Sequence, residues 1–161
     1  MENRVKQKKF VSLVLYLHNT QNEVVPFFQK VLPVFRDNFT NFEIVCVNDA
    51  CTDGTIGVLK EYLEENHCSE MVNIIHMSFF HGLESAMNAG RDLAIGDFIY
   101  EFDTAYVDYP SELIMEVYDK LLEGNDIVSA GTRDHVRMTS GFFYFCYNKT
   151  SRGRGKIGPE T

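Results

Sequence analysis

The segment "YEFDTAYVDYP" (100–110) places a carboxylate, Asp103, where an apolar strand pattern stops. The next acid, Asp108, comes only after Thr104, Ala105 and two more residues. Parallel sheets bind ligands in the crevice beyond the carboxyl ends of their strands, so an acid there is well placed to meet one. Two other stretches carry comparable chemistry. In "VNDACTDGT" (47–55), Asn48 and Asp49 can hydrogen-bond a base or ribose edge, or Asp49 can simply hold its own turn. In "FFHGLESAMNAGRDLAIGD" (79–97), Gly82 either lets backbone approach a ligand or just turns the chain into a helix.

The elements that must position these residues alternate along the chain. "FVSLVLYL" (10–17), "FEIVCVN" (42–48), "MVNIIHM" (71–77) and "GDFIYEFD" (96–103) are apolar runs of strand length, and "NDIVSAG" (125–131) reads as a short fifth strand. Between them lie helical stripes: Val24, Phe28, Val31, Leu32 and Phe35; Ile56, Leu59 and Leu63; Leu83, Ala86, Met87, Gly90 and Ala94; and Leu113, Val117 and Leu121 after Pro110. Gly90 is expected to allow close helix packing and Asp53 to cap the second helix. Such a series with right-handed crossovers gives an α/β fold with a doubly wound, mostly parallel sheet. Leu17, His18, Asn19, Asn48, Asp49, Ser78 and Asp103 then converge on one crevice. Residues 1–9 are a tail, 10–133 the core, and 134–161 a different region with a basic, glycine-rich loop that reads as mobile. The abrupt ending reads as that of a truncated chain.

Composition bounds the function. A net charge of −8 over 161 residues argues against nucleic acid as a partner. The four cysteines show no CxxC pair and no metal spacing, which suits a reducing cytoplasm. No run approaches the roughly 20 apolar residues of a membrane span. GxGxxG and GxxxxGK[ST] are absent, which disfavours a dinucleotide fold and excludes a P-loop. His18 falls at the crevice mouth, His76 is expected to be a satisfied core residue, and His67 and His135 are expected at the surface. Asp108 suits a helix N-terminus better than a ligand set.

Four blocks in order, "VSLVLYLHNT", "VNDACTDGT", "HGLESAMNAGRDLAIGD" and "FDTAYVDYPSELI", resemble the family 2 glycosyltransferases of the GT-A fold. Those proteins read VSVVIPxYNE, VDDGSTDGT, NxGxxxAxNxGxxxAxGD and DxD. The likeness covers roughly residues 10 to 133, and "GFFYFCYNK" beyond it is similar to the polyprenyl-phosphate sugar transferase branch. The resemblance implies the Rossmann-like nucleotide-binding half of a GT-A domain. It implies transfer of a sugar from a nucleotide-diphosphate donor to a lipid-linked or saccharide acceptor, in cell-envelope polysaccharide synthesis. Leu17, His18, Asn19, Asn48, Asp49, Gly82, Asp103, Thr104 and Ala105 would line the donor site. Asp103 would be the ligand of Mg2+ or Mn2+, with no general base visible before residue 161. Location would be cytoplasmic, with membrane-face association through segments beyond residue 161, and a homo-oligomer is left open.

The departures are equally specific. Ala105 stands at the second acid of DxD, Asn48 at the first acid of VDD, and Tyr16 at the proline of the first strand. Phe80 and Leu83 stand where polar or basic residues are common. Three expectations stay open: a metal held by Asp103 with phosphates and water, metal-free stabilisation by Arg152, Arg154 or Lys156, or a catalytically silent module that binds a nucleotide or a partner.

Overall fold

The computed structural model describes residues 6–130. The chain divides into two compact units, Met1–Met115 and Glu116–Thr161. Strands β1 (Gln7–Leu17), β2 (Phe39–Asn48), β3 (Val72–His76) and β4 (Phe98–Phe102) alternate with helices α1 (Val24–Asn38), α2 (Thr55–Glu65), α3 (Leu83–Leu93) and α4 (Glu112–Leu122). The sheet order is β3-β2-β1-β4 and every pairing is parallel. β1 and β2 begin three residues earlier than their apolar runs, because Gln7 pairs with Phe39 across a register shift before Phe10.

Alternation along the strands sends side chains to two faces, and each face is covered by a helix. On one face α1 buries Phe27, Phe28, Val31, Leu32 and Phe35. Phe27 meets Phe102 edge-on at 5.1 Å and Phe35 meets Tyr100 at 5.3 Å, so aromatic edges tie α1 to the edge strand β4. On the other face Val14, Val45 and Val47 pack with Ala86 and Met87 of α3. Glycine is required at Gly90: a Cβ there would lie 2.4 Å from Val14 Cγ1 and 2.8 Å from Val47 Cγ2. The expected close packing is therefore real.

Four expectations fail. No fifth strand forms among the described residues of 125–130, where Ile127 is 89% exposed. A strand exists only through its ladder partner, and an apolar triplet cannot supply one. Helix α4 buries Ile114, Met115 and Tyr118 rather than Leu113, Val117 and Leu121; Tyr100 Oη donates to the Ile114 carbonyl at 2.7 Å and anchors that side. His76 is exposed, at the end of the short strand β3, not in the core. Asp108 also lies outside α4, which starts at Glu112. The region expected at 134–161, with Cys146, His135 and the basic loop, lies outside the described residues.

Replacing Gly90 by alanine should lower stability by about 1–3 kcal/mol, since neither valine can leave its strand position. A thermal melt of Gly90→Ala at or above the parent midpoint would refute this packing.

Candidate functional site

Parallel pairing brings the strand ends to one edge. Leu17 is in register with Asn48, and Asn48 with His76, while Leu15 pairs with Phe102, the residue before Asp103. The crevice residues therefore come from four different segments.

The loop after β1 turns through Asn19 in the left-handed region, φ 53°, a conformation asparagine tolerates better than most residues. Asn19 Oδ1 accepts from Thr52 N–H at 2.8 Å and from Asp53 N–H at 3.3 Å. Gln21 N–H donates to Asp53 Oδ2 at 3.1 Å, and Gly54 N–H to Gln21 Oε1 at 3.0 Å. Thr20 N–H donates to Thr55 Oγ1 at 2.8 Å. These reciprocal bonds fasten the β1–α1 loop to the β2–α2 loop. Asp53 caps α2 from one residue outside the expected place: Thr55 N–H and Oγ1 both donate to its Oδ1, and Gly54 separates them. Desolvation opposes ionisation of Asp53, but the bonds from Thr55 and Gln21 together outweigh it and hold the carboxyl below its ordinary value.

Asn48 and Asp49 sit deeper, 8% and 0% exposed. Asn48 Oδ1 accepts from Cys51 N–H at 2.9 Å, and its Nδ2–H donates to His76 Nδ1 at 2.9 Å. Asp49 Oδ1 accepts from His81 N–H at 2.8 Å. Its Oδ2 accepts from Gly82 N–H at 2.8 Å and from Tyr16 Oη at 3.1 Å. Burial and the adjacent Asp49 carboxylate push the Tyr16 phenol up to about 12. Leu17, fully buried, offers only its carbonyl, which accepts from Asp49 N–H at 2.9 Å. His18 Nδ1–H donates to the Asp49 carbonyl at 2.6 Å, and the His18 ring lies 4.6 Å from that of Phe80. Gly82 has φ 85°, where a side chain would be strained.

The network gathers Leu17, His18, Asn19, Asn48, Asp49 and Gly82. Asp103 and Thr104 stand apart and exposed at the end of β4, where Thr104 Oγ1 accepts from Tyr106 N–H at 3.1 Å. Ala105 is 1% exposed and has no group to offer an ion. Next to Asp103 the Tyr109 phenol is pushed up to about 12, first by burial and then by the Asp108 and Asp103 carboxylates. Among the described residues no three His, Cys, Asp or Glu side chains gather as a metal cage. One free carboxylate suits a magnesium-type ion that takes its other ligands from phosphate and water.

Sequence reasoning missed Tyr16, Gln21 and Ala50. Tyr16 counted only as a lost proline. Ala50 holds φ 53°, and its signal was available: the motif VDDGSTDGT has glycine at that place.

The family description "Glycosyl transferase family 2" matches residues 12–159. An uncharacterized glycosyltransferase of Synechocystis sp. is 34% identical over 157 residues, covering 94% of this chain and 48% of that protein. A prophage bactoprenol glucosyl transferase homologue of Escherichia coli is 31% identical over 150 residues, 88% of this chain and 47% of that one. The chain thus spans about half the length of these curated relatives. Among solved structures, Staphylococcus aureus TarS 1–349 in complex with UDP aligns at TM-score 0.53 and 18% identity, over 80% of this chain and 40% of that one.

Two outcomes follow from the loop geometry. Ala50→Gly relieves roughly 1–2 kcal/mol of left-handed strain against roughly 0.5–1 kcal/mol of added chain entropy. The melting temperature should rise, and a fall would contradict the assigned conformation. Because the native Asp53 carboxyl lies below its unfolded value, its contribution is complete above the unfolded value and is lost as pH falls through the native one. Acid unfolding of Asp53→Asn should therefore be less steep than the parent's; equal slopes would contradict the cap.

Proposed function

Because the chain belongs to glycosyl transferase family 2, we propose that it forms the donor-binding half of a GT-A enzyme that moves a sugar from a nucleotide diphosphate to a lipid-linked or saccharide acceptor. The observation that carries this reading is the assembly of Leu17, His18, Asn19, Asn48, Asp49 and Gly82 into one bonded wall beside the exposed Asp103. His18 and Asn19 face the nucleoside, Gly82 lets backbone approach it, and Asp103 with Thr104 serves the diphosphate. Asp103 would hold Mg2+ or Mn2+, which neutralises charge growing on the leaving diphosphate. The bactoprenol glucosyl transferase homologue supports a lipid-linked acceptor in cell-envelope synthesis.

The protein works in the cytoplasm or at the cytoplasmic face of the membrane, alone or as a homo-oligomer. Its described helices are too short or too polar to cross a bilayer. With a net charge of −8, nucleic acid is no partner.

One observation favours a second reading. Ala105 is buried at the place of the second motif acid, and Asn48 has replaced a carboxylate. A catalytically silent module that binds nucleotide or a partner enzyme needs neither.

Thermal-shift titration with UDP, GDP, dTDP and their sugars, with and without Mn2+, separates the two. Ligand at a hundredfold excess over Kd stabilises by about 2.7 kcal/mol. A Mn2+-dependent shift lost in Asp103→Ala supports the enzyme. A shift indifferent to both supports the silent module. No shift with any nucleotide removes the donor site itself.

A further inference from the structure

Opposite the crevice, the amino edge of the sheet carries a second bonded cluster that the donor site does not use. Asp97 N–H donates to the Phe10 carbonyl at 2.8 Å, and Phe10 N–H donates back to Asp97 Oδ2 at 3.1 Å. The two residues before Asp97 are fastened as well. Gly96 N–H donates to Ser12 Oγ at 2.9 Å, and Ile95 N–H to Glu43 Oε1 at 2.8 Å. The fully buried Ser12 hydroxyl closes the set by donating to the same Glu43 oxygen at 2.6 Å. A Cβ at Gly96 would lie 2.5 Å from Ser12 N, so only glycine admits this approach.

Strand β4 needs such a fastening. It has five residues and pairs, among the described residues, with β1 alone. Its half-buried side chains are Phe98, Tyr100 and Phe102, aromatic at every second place. Tyr100 and Phe102 pack on Phe35 and Phe27 of α1. A slip of two residues keeps the faces and puts one aromatic where another was, so this packing discriminates poorly between registers. The Tyr100 hydroxyl reaches α4, which follows β4 in the chain, and the exposed Arg91–Glu101 pair adds little. Yet the same slip would move Asp103 by about 6–7 Å. It would also leave the enclosed Ser12 oxygen without its Gly96 donor, at about 1–3 kcal/mol.

We propose that Ser12, Glu43 and Asp97 are positioning residues for Asp103: from the amino edge they hold β4 in register with β1, and so set where the acid meets the diphosphate. This rests on the donor-site reading above. Ser12 lies in the first motif block and Asp97 closes the third, yet Asp97 stands six residues from Asp103. That is about 20 Å along a strand, too far to touch a ligand there.

The test uses the 161-residue chain with UDP and Mn2+ as probes, and reads two quantities. Amide hydrogen exchange reports how firmly β4 is held, without any ligand. Asp97→Ala and Glu43→Ala should each accelerate the Phe98–Phe102 amides about tenfold, with the β2 amides unchanged. Asp97→Asn keeps an oxygen for Phe10 N–H and loses only the exposed contact with Lys9, so it should exchange as the parent does. UDP affinity with and without Mn2+ reports the acid. Asp97→Ala should cut the gain from Mn2+ about tenfold and leave metal-free affinity unchanged, and Asp97→Asn should restore the gain.

Unchanged β4 exchange in both alanine variants overturns the lock, and Glu43→Ala keeps this decisive if Asp97→Ala does not fold. Equal losses of UDP affinity with and without Mn2+ overturn the positioning role, because the variant would then only loosen the fold. Accelerated β4 exchange with an intact Mn2+ gain overturns the link to Asp103. If the parent gains nothing from Mn2+, the metal part of the donor-site reading fails, while the exchange rates still uphold or overturn the lock.

Discussion

A carboxylate removed from water must be surrounded by donors, and at Asp49 this requirement organises the whole carboxyl edge of the sheet. Its donors come from two segments: the end of β1 through Tyr16, and the β3–α3 loop through His81 and Gly82. Neither loop can move far without exposing an unsatisfied charge, which costs several kcal/mol in a protein interior. Asn48 repeats the device with a neutral amide, spanning the Cys51 backbone and His76. Asn19 then ties the first loop to the second. The result is a wall whose shape is set before any ligand arrives, the condition under which binding groups lose least entropy on use.

Asp103 is held differently. It lies exposed beyond β4, outside the bonds that fasten the other loops among the described residues. β4 itself is anchored on one face by Phe27 and Phe35 of α1 and on the other by the Arg91–Glu101 pair at 3.1 Å. The strand end is thus fixed while its acid stays hydrated, which suits a group meant to share an ion with phosphate oxygens. With Ala105 buried, the protein supplies only half of the usual acidic pair. Under the proposed function the wall would recognise the nucleoside and the hydrated acid would meet the charge of the diphosphate.

The alternating architecture was legible because β1 and β2 are buried on both faces and read as continuous apolar runs, while the edge strands β3 and β4 keep enough apolar residues at strand length to be recognised. α1 was legible despite Pro33 in its interior, since packing of Phe28, Val31, Leu32 and Phe35 outweighs one lost backbone bond. The fifth strand was not, because "NDIVSAG" has strand composition but needs a partner that composition cannot reveal. The α4 stripe slipped by one residue for a similar reason, since a backbone contact from Tyr100 fixes its rotation. At the site, the positions of Asn19, Asp49 and Gly82 were readable from motif and strand ends. Their bonds were not, because each partner lies about 30 residues away in sequence on a neighbouring loop. Tyr16 shows the limit most clearly: as a letter it was a lost proline, and in space it completes the solvation of a buried charge.

The central claim is that the carboxyl edge, with its bonded wall and the exposed Asp103, is a nucleotide-diphosphate site. A crystal structure of the chain with UDP and Mn2+ tests it most directly, because manganese can be located by its anomalous scattering. The account predicts the base beside His18 and Asn19, and the manganese signal at Asp103 with diphosphate oxygens completing its shell. Nucleotide bound away from this edge, or manganese bound away from Asp103, would contradict it.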